Sequence, residues 1–204
     1  MINLFNKVNI ATKLTLLRIV LVPFFMTFMF FDNVWTRVFA LFIFIIAGVT
    51  DLFDGMLARK FKSVTKFGIF LDPLADKLII SAAFISFVSL KELHIPAWMV
   101  VFIISRDFII TGLRLVAVSH DRVIAADKTG KFKTTSQIVG IIIILLILIM
   151  NSFKKHILMT YPFMGQFLSH APFWIMLYVT VLTVYSGVAY LNKNKDVLIL
   201  DTEK

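Results

Sequence analysis

Long apolar runs separated by short polar connections dominate the pattern of this chain. Six runs approach the roughly 20 residues that a helix needs to cross the hydrocarbon core of a bilayer. They cover residues 14–31, 35–53, 70–90, 96–118, 135–150 and 172–191. Inside a bilayer a helix satisfies its own backbone hydrogen bonds, so each run is expected to be helical. The pattern predicts an all-α, polytopic membrane protein with six transmembrane helices.

Composition agrees with this prediction. The chain has 204 residues, of which 59% are hydrophobic, whereas soluble domains have about 45–50%. Because there is no cysteine, a disulfide, a thiolate nucleophile and a cysteine-ligated metal are excluded. No internal repeat or linker interrupts the pattern. We therefore expect one integral-membrane domain over residues 1–204.

Basic residues predict the orientation in the cell membrane. They concentrate before the first run, in the second and fourth connections, and in the tail, and the residues of the two connections are Arg59, Lys60, Lys62, Lys66, Arg122, Lys128, Lys131 and Lys133. The positive-inside rule then places both termini and the second connection in the cytoplasm. The net charge of +9 also attracts anionic lipid headgroups. Nucleic acid is not an expected partner, since these residues border spans instead of forming a soluble patch.

The two ends of the chain lie outside the predicted spans. Residues 1–13 mix apolar and polar positions and are predicted to form a short interfacial helix, with a disordered tail as the open alternative. Residues 192–204 are predicted to form a cytoplasmic tail.

Two short segments carry an unusual density of aspartate. In DLFDGMLAR, residues 51–59, a helix of about 100° per residue puts Asp51, Asp54, Gly55 and Ala58 on one stripe. In residues 68–76, Gly68, Asp72 and Asp76 follow each other in steps of about 40°. Two such helices packed together would converge four carboxylates, and the small residues leave room for a ligand near the backbone.

A bound divalent cation explains why these acids are tolerated. Each carboxylate costs roughly 2.5–3.5 kcal/mol at the centre of a membrane helix. Four carboxylates suit a site for two Mg²⁺ (or Mn²⁺) ions acting on a phosphate ester. Two alternatives stay open. The acids pair with Arg59, Lys60 and Lys77 at the membrane boundary, or Asp72 caps a helix that starts at Pro73.

The spacing of these residues resembles the signature of the CDP-alcohol phosphotransferase family. That signature reads D-x-x-D-G-x-x-A-R, eight residues, then G-x-x-x-D-x-x-x-D, and every fixed position is matched here. The resemblance implies an enzyme that transfers a phosphatidyl or related group from a CDP-linked donor to an alcohol and releases CMP. It also implies a homodimer.

The resemblance further implies roles for single residues. The metal ligands correspond to Asp51, Asp54, Asp72 and Asp76. The catalytic residues correspond to Asp72 and Asp76, with Asp76 as general base. The positions that correspond to the CDP-donor site are Asp51, Asp54, Gly55, Ala58, Arg59, Gly68 and, in the first span, Thr15 and Arg18.

The fourth span carries charges that a membrane helix rarely contains. Arg106 and Arg114 lie about 80° apart on a helix, and Asp107 follows Arg106. With Lys131 and Lys133 before the fifth span, these arginines form a candidate site for the phosphate of a water-soluble acceptor. The alternative is that Arg106 and Asp107 form a structural pair and that the lysines face lipid headgroups.

Three further segments suggest the acceptor. LTLLRIVLVP, RDFIITGLR and GKFKTTSQ are similar to the phosphatidylglycerophosphate synthase subgroup of the family. The subgroup resemblance implies transfer from CDP-diacylglycerol to sn-glycerol 3-phosphate, giving phosphatidylglycerol phosphate and CMP. Other acceptors stay open, inositol phosphate first, then serine, an aminoalcohol, or phosphatidylglycerol as in a cardiolipin synthase. A cation-coupled transporter is a distant alternative, because the acids cluster near a membrane boundary and not at the midplane.

Overall fold

Six α-helices follow one another in the part of the chain that the structure describes. The computed structural model describes residues 10–61, 66–119, 128–157 and 162–194. In these ranges the helices are α1 (Ile10–Phe30), α2 (Val34–Phe61), α3 (Lys66–Ser89), α4 (Ala97–Ser119), α5 (Lys128–Ile157) and α6 (Pro162–Lys193), with a 3-10 turn at Lys91–Leu93 before α4. No strand occurs in the same ranges. The all-α prediction is confirmed. Of the interfacial segment predicted for residues 1–13, residues 1–9 lie outside the described residues. The predicted tail lies outside them from residue 195 onward.

Several helices run well past the apolar segments that predicted them. α2 continues through the acidic segment to Phe61, and α5 begins at Lys128, before the predicted start at residue 135. Helical hydrogen bonding does not end where the hydrocarbon ends, and lysine and arginine are good helix formers whose charges reach the interface. α3 begins at Lys66, so Asp72 lies inside the helix. The alternative that Asp72 is an N-cap is therefore wrong.

The outer surface of the described helices is apolar. Large side chains such as Phe24, Phe42, Val101, Trp174 and Tyr185 are more than half exposed. By length and composition, the stretches 13–30, 130–152 and 168–193 suffice to cross a membrane, and shorter apolar stretches occupy Val34–Thr50 and Lys77–Ser89. α4 interrupts its apolar run with three charged residues. The protein is a polytopic membrane protein.

The chain divides into two compact units. One comprises Met1–Ser86 with Leu145–Thr160, and the other comprises Phe87–Ile144 with Tyr161–Lys204. The prediction of a single domain over residues 1–204 stays a prediction.

An antiparallel pair of helices, α1 and α2, organises the first unit. Phe25 packs on Phe44 with ring centres 6.1 Å apart, and Phe28 packs on Phe39 at 5.9 Å. Later residues of α1 therefore contact earlier residues of α2, so the two helices are antiparallel, as expected for helices joined by a short turn. Buried alanines of α2 and α3 complete this core, at positions 40, 47, 75, 82 and 83. Such small residues allow membrane helices to approach closely.

A buried arginine anchors the start of α2 within the same unit. The guanidinium of Arg37 donates to the carbonyl oxygen of Leu148 at 3.0 Å and to Ser152 Oγ at 2.6 Å. It also pairs with Asp32, whose side chain is 69% exposed, at 3.1 Å. These bonds tie the turn between α1 and α2 to the C-terminal part of α5, and they give partners to both terminal nitrogens of the buried guanidinium.

The second unit combines α4, α6 and the first turns of α5. Arg106 of α4 contacts Ser186 of α6, and Arg114 contacts Tyr190 further along both helices, so α4 and α6 run parallel. A Cβ at Gly140 of α5 would lie 3.1 Å from Val179 Cγ2 of α6, which marks a close approach of these two helices. Parallel packing of α4 and α6 is what alternating membrane crossings require of two even-numbered spans.

Loss of the Arg37 anchor should destabilise the protein. We expect Arg37→Ala to lower the free energy of unfolding by about 2–3 kcal/mol, because hydrogen bonds from a buried charged donor are lost. Asp32→Asn is the matched control and should lower it by less than about 1 kcal/mol, since the carboxylate stays mostly in water. Thermal denaturation of the purified proteins in detergent measures both effects. Equal midpoints for the two variants would contradict this role of Arg37.

Candidate active site

The two aspartate-rich segments lie on consecutive helices of the first unit. Positions 51 and 54 are in α2, and positions 72 and 76 are in α3. The uninterrupted helical backbone gives positions 68, 72 and 76 the four-residue spacing that places residues on one face of a helix. The side chains of all eight signature positions are outside what the structure describes. Their predicted roles in metal and donor binding therefore stay predictions.

Two polar residues of α1 are buried in the first unit. Thr15 is completely buried and Arg18 is 1% exposed, within a helix that is mostly apolar. A buried arginine in a membrane helix is expensive, so such residues usually serve an internal polar site and not the lipid surface. This burial agrees with the predicted donor-site position of both residues without testing it.

Two cations of the second unit meet at one carboxylate. Asp107 accepts hydrogen bonds from Lys133 Nζ and, at 3.2 Å, from Arg106 Nη1. Arg106 Nη2 donates to Ser186 Oγ at 2.9 Å. We call Arg106, Asp107, Lys133 and Ser186 the Asp107 cluster. Its three charged side chains are at most 14% exposed. Two cations share one anion, so the cluster keeps a formal net charge of +1.

The other two predicted acceptor cations lie outside this cluster. Arg114 Nε donates to Tyr190 Oη at 3.2 Å, and its guanidinium carbon lies 5.4 Å from the centre of the Tyr190 ring. This cation–π contact holds an otherwise exposed arginine against α6. Lys131 is exposed near the start of α5. The structure thus joins Arg106 to Lys133 and gives Arg114 a separate partner.

A glycine of α6 makes room for the Arg106 side chain. A Cβ at Gly187 would lie 2.7 Å from Arg106 Cγ, closer than these two atoms can approach without displacement, and 3.3 Å from Arg106 Nε. The arginine can therefore cross the helix only because position 187 has no side chain. Sequence reasoning missed Gly187, Ser186 and Tyr190. The polar positions 183, 186 and 190, spaced as one helical face in an apolar span, were the available signal.

Metal binding was predicted for the aspartates alone. Among the side chains that the structure describes, no group of three or more His, Cys, Asp or Glu lies together. The four aspartates are not among those side chains. By chemistry the donor set fits a hard divalent cation, because all four residues offer carboxylate oxygens.

Comparison with known proteins identifies the family. The sequence profile described as CDP-alcohol phosphatidyltransferase matches residues 8–185. The chain belongs to the CDP-alcohol phosphatidyltransferase family. The match includes both aspartate-rich segments and all four predicted acceptor cations. CDP-alcohol phosphatidyltransferases generally depend on a divalent metal, which agrees with the carboxylate donor set.

Three relatives carry the same enzyme name, CDP-diacylglycerol–glycerol-3-phosphate 3-phosphatidyltransferase. The relative from Bacillus subtilis (strain 168) is 41% identical over 202 residues, covering 93% of this chain and 97% of its own length. The relative from Sodalis glossinidius (strain morsitans) is 37% identical, covering 68% of this chain and 78% of its own length. The relative from Escherichia coli (strain K12) is 39% identical, covering 65% and 74%.

The close fit at Gly187 gives a stability prediction. We expect Gly187→Ala to lower the free energy of unfolding by about 1–3 kcal/mol, because the added methyl must displace Arg106. Gly112→Ala in α4 is the control, since a Cβ there has no heavy atom within 4 Å. It should be neutral or stabilising by up to about 1 kcal/mol through helix propensity. Thermal denaturation in detergent compares the two, and a stabilised Gly187→Ala protein would contradict the argument.

Proposed function

We propose that this protein transfers the phosphatidyl group of CDP-diacylglycerol to sn-glycerol 3-phosphate, giving phosphatidylglycerol phosphate and CMP. The reaction belongs to phospholipid biosynthesis. The observation that carries the proposal is the similarity, over 93% of this chain, to a Bacillus subtilis relative named for this reaction. The buried cations of the second unit support a phosphorylated acceptor in particular, because a lipid or an uncharged alcohol would not need them.

The aspartates provide the metal site in this proposal. Asp51, Asp54, Asp72 and Asp76 hold two Mg²⁺ or Mn²⁺ ions. When bound, these ions neutralise the charge of the donor diphosphate and of the departing CMP. The support is chemical and positional: four oxygen donors stand on two consecutive helices of one unit, and the family generally depends on a divalent metal.

The CDP-donor site consists of residues from α1, α2 and α3. Gly55, Ala58 and Gly68 lack bulky side chains and let the diphosphate approach the helix backbones, beside Asp51 and Asp54. Arg59 and Arg18 balance phosphate charge, and Thr15 offers a hydroxyl. Thr15 and Arg18 are buried polar residues of the same compact unit that contains the aspartate-bearing helices, which supports a common site.

The Asp107 cluster holds the acceptor phosphate. Arg106 and Lys133 place two cationic side chains beside one carboxylate, and guanidinium and ammonium groups are the usual donors to a phosphate. Lys133 and Arg106 are already oriented by Asp107, so little side-chain freedom is lost when the acceptor binds. Arg114 and Lys131 add positive charge at the more exposed side of the site.

The transfer itself needs one proton acceptor. Asp76 takes the proton of the C1 hydroxyl of glycerol 3-phosphate as general base, next to Asp72. The hydroxyl oxygen then forms a bond to the phosphorus of the phosphatidyl group, and the bond from that phosphorus to the CMP oxygen breaks. Direct attack agrees with the absence of cysteine from the chain.

The protein acts in the cell membrane as a multi-pass homodimer surrounded by lipid. Its termini and its active site face the cytoplasm, where glycerol 3-phosphate and CDP-linked lipid headgroups are accessible. The distribution of basic residues supports this orientation. Parallel packing of α4 and α6 agrees with it, because both helices then end on the side of the basic fourth connection and of the tail. All residues belong to one catalytic domain, 1–204.

Release of CMP tests the proposed function. Purified protein in detergent, supplied with CDP-diacylglycerol, Mg²⁺ and sn-glycerol 3-phosphate, should release CMP, and EDTA should stop the release. Asp54→Asn should lower turnover at least about a hundredfold. Losing a residue that only hydrogen-bonds to a metal ligand already lowers activity about 10–100-fold, and losing the ligand itself should have a larger effect. CMP release with inositol phosphate instead would overturn the acceptor. Near wild-type turnover by a folded Asp54→Asn protein would overturn the metal site.

The acceptor cations make a separate prediction. Arg114→Ala should raise the KM for glycerol 3-phosphate by about tenfold to a hundredfold and leave the KM for CDP-diacylglycerol nearly unchanged, because one charged hydrogen bond to phosphate is lost. Lys91→Ala is the control: Lys91 is an exposed cation of the 3-10 turn before α4, and its removal should change neither KM. Steady-state kinetics measure both constants. A change of equal size for both substrates would contradict acceptor binding by Arg114.

A further inference from the structure

Two polar side chains of the second unit are buried without a protein partner for their donors. Gln137 of α5 is 1% exposed and Thr183 of α6 is completely buried. Neither Gln137 Nε2 nor Thr183 Oγ1 has a hydrogen-bond partner among the described residues. Buried polar groups are nearly always satisfied, because an unmade hydrogen bond in an apolar interior is unfavourable. Something other than the described side chains is expected to meet these two donors.

The helix register places the two residues opposite each other. Lys133 of α5 and Ser186 of α6 both belong to the Asp107 cluster. Gln137 lies one turn after Lys133, and Thr183 lies one turn before Ser186. On the far side, Gly140 of α5 approaches Val179 of α6. α5 and α6 run antiparallel between these two points. Gln137 and Thr183 therefore lie on facing helices, one turn deeper than the phosphate-binding cations.

The spacing and the chemistry suit a small polyol phosphate. One helical turn advances about 5.4 Å, which is comparable to the distance between the phosphorus and the C2 hydroxyl oxygen of an extended glycerol 3-phosphate. An amide N–H₂ donates, and a threonine hydroxyl both donates and accepts, so the pair can bind a hydroxyl group in both senses. A second anion would instead call for another cation, and none of the described residues between Gln137 and Gly140 or between Val179 and Thr183 is charged.

We infer that Gln137 and Thr183 form a subsite for the C2 hydroxyl of the acceptor, next to the phosphate held by the Asp107 cluster. The inference rests on the proposed function and adds residues that determine which acceptor is used. Charge alone selects any small phosphate. Two directional donors in a buried position select a hydroxyl at a fixed distance from that phosphate, since an acceptor without it leaves both donors unpaired.

Paired acceptors test this subsite. Steady-state kcat/KM is measured for sn-glycerol 3-phosphate and for 3-hydroxypropyl phosphate, which keeps the reacting hydroxyl and the phosphate but lacks the C2 hydroxyl. The wild-type protein should prefer glycerol 3-phosphate by tenfold or more. Gln137→Met and, separately, Thr183→Val should each reduce this preference about tenfold, mainly by lowering kcat/KM for glycerol 3-phosphate.

Thr180→Val is the matched control. Thr180 is also buried in α6, one turn from Thr183, but its hydroxyl donates to the Met176 carbonyl oxygen at 2.7 Å. Removing that satisfied hydroxyl should leave the preference between the two acceptors unchanged. Size-exclusion chromatography and thermal denaturation verify that each variant is folded before its kinetics are compared.

The outcomes separate this inference from the proposed function. No CMP release by the wild-type protein with glycerol 3-phosphate would contradict the function itself. Turnover by the wild-type protein, with an unchanged preference in both folded variants, would overturn the subsite alone. An equal loss with both acceptors would also overturn it, because Gln137 and Thr183 would then support the fold or hold a buried water instead of reading the hydroxyl.

Discussion

Burial of charge among apolar helices is the constraint on which the rest of this structure depends. A lone cation or carboxylate in such surroundings is strongly unfavourable, and a side chain that is kept there needs a partner. In the second unit one carboxylate, Asp107, satisfies this need for both Arg106 and Lys133. In the first unit Arg37 uses a carbonyl oxygen, a hydroxyl and the exposed carboxylate of Asp32. Each arrangement fixes how neighbouring helices pack, because a buried ion pair tolerates little displacement.

The same constraint explains the polar contacts between α4 and α6 in the second unit. α6 supplies Ser186 to Arg106, Tyr190 to Arg114, and at Gly187 the space that the Arg106 side chain needs. These residues share one face of a helix whose other faces are apolar. Asp107 is shared by Arg106 and Lys133, so these three side chains together carry a formal charge of +1. The acidic segments of α2 and α3 pose the opposite problem, and a divalent cation is the partner that their donor set favours.

Local sequence was sufficient for much of the fold and for less of the site. Apolar run length predicted six helices, since in a bilayer the backbone leaves few alternatives to a helix. Apolar run length underestimated the lengths of α2 and α5, because the helices continue through aspartate-rich and lysine-rich turns beyond the apolar runs. The eight signature positions were readable because their spacing lies within one stretch of chain. The partners of Arg106 and Arg114 were not, because residues some 80 positions apart meet only through the packing of α4 on α6. Local sequence preference also allowed Asp72 to be a helix N-cap, but α3 already begins at Lys66, six residues earlier.

Selection of one acceptor among many cellular phosphates requires more than positive charge. Coulombic attraction to the Asp107 cluster depends weakly on direction, and arginine and lysine bind the phosphate of inositol phosphate as readily as that of glycerol 3-phosphate. Hydrogen bonds in a dry interior depend strongly on direction, and an unmade one is unfavourable. Gln137 and Thr183 are buried one helical turn from Lys133 and Ser186, and Gln137 Nε2 and Thr183 Oγ1 have no hydrogen-bond partner among the described residues. In the proposed acceptor site, the charged turn would select a phosphate, and the neutral turn next to it would select the alcohol that carries this phosphate.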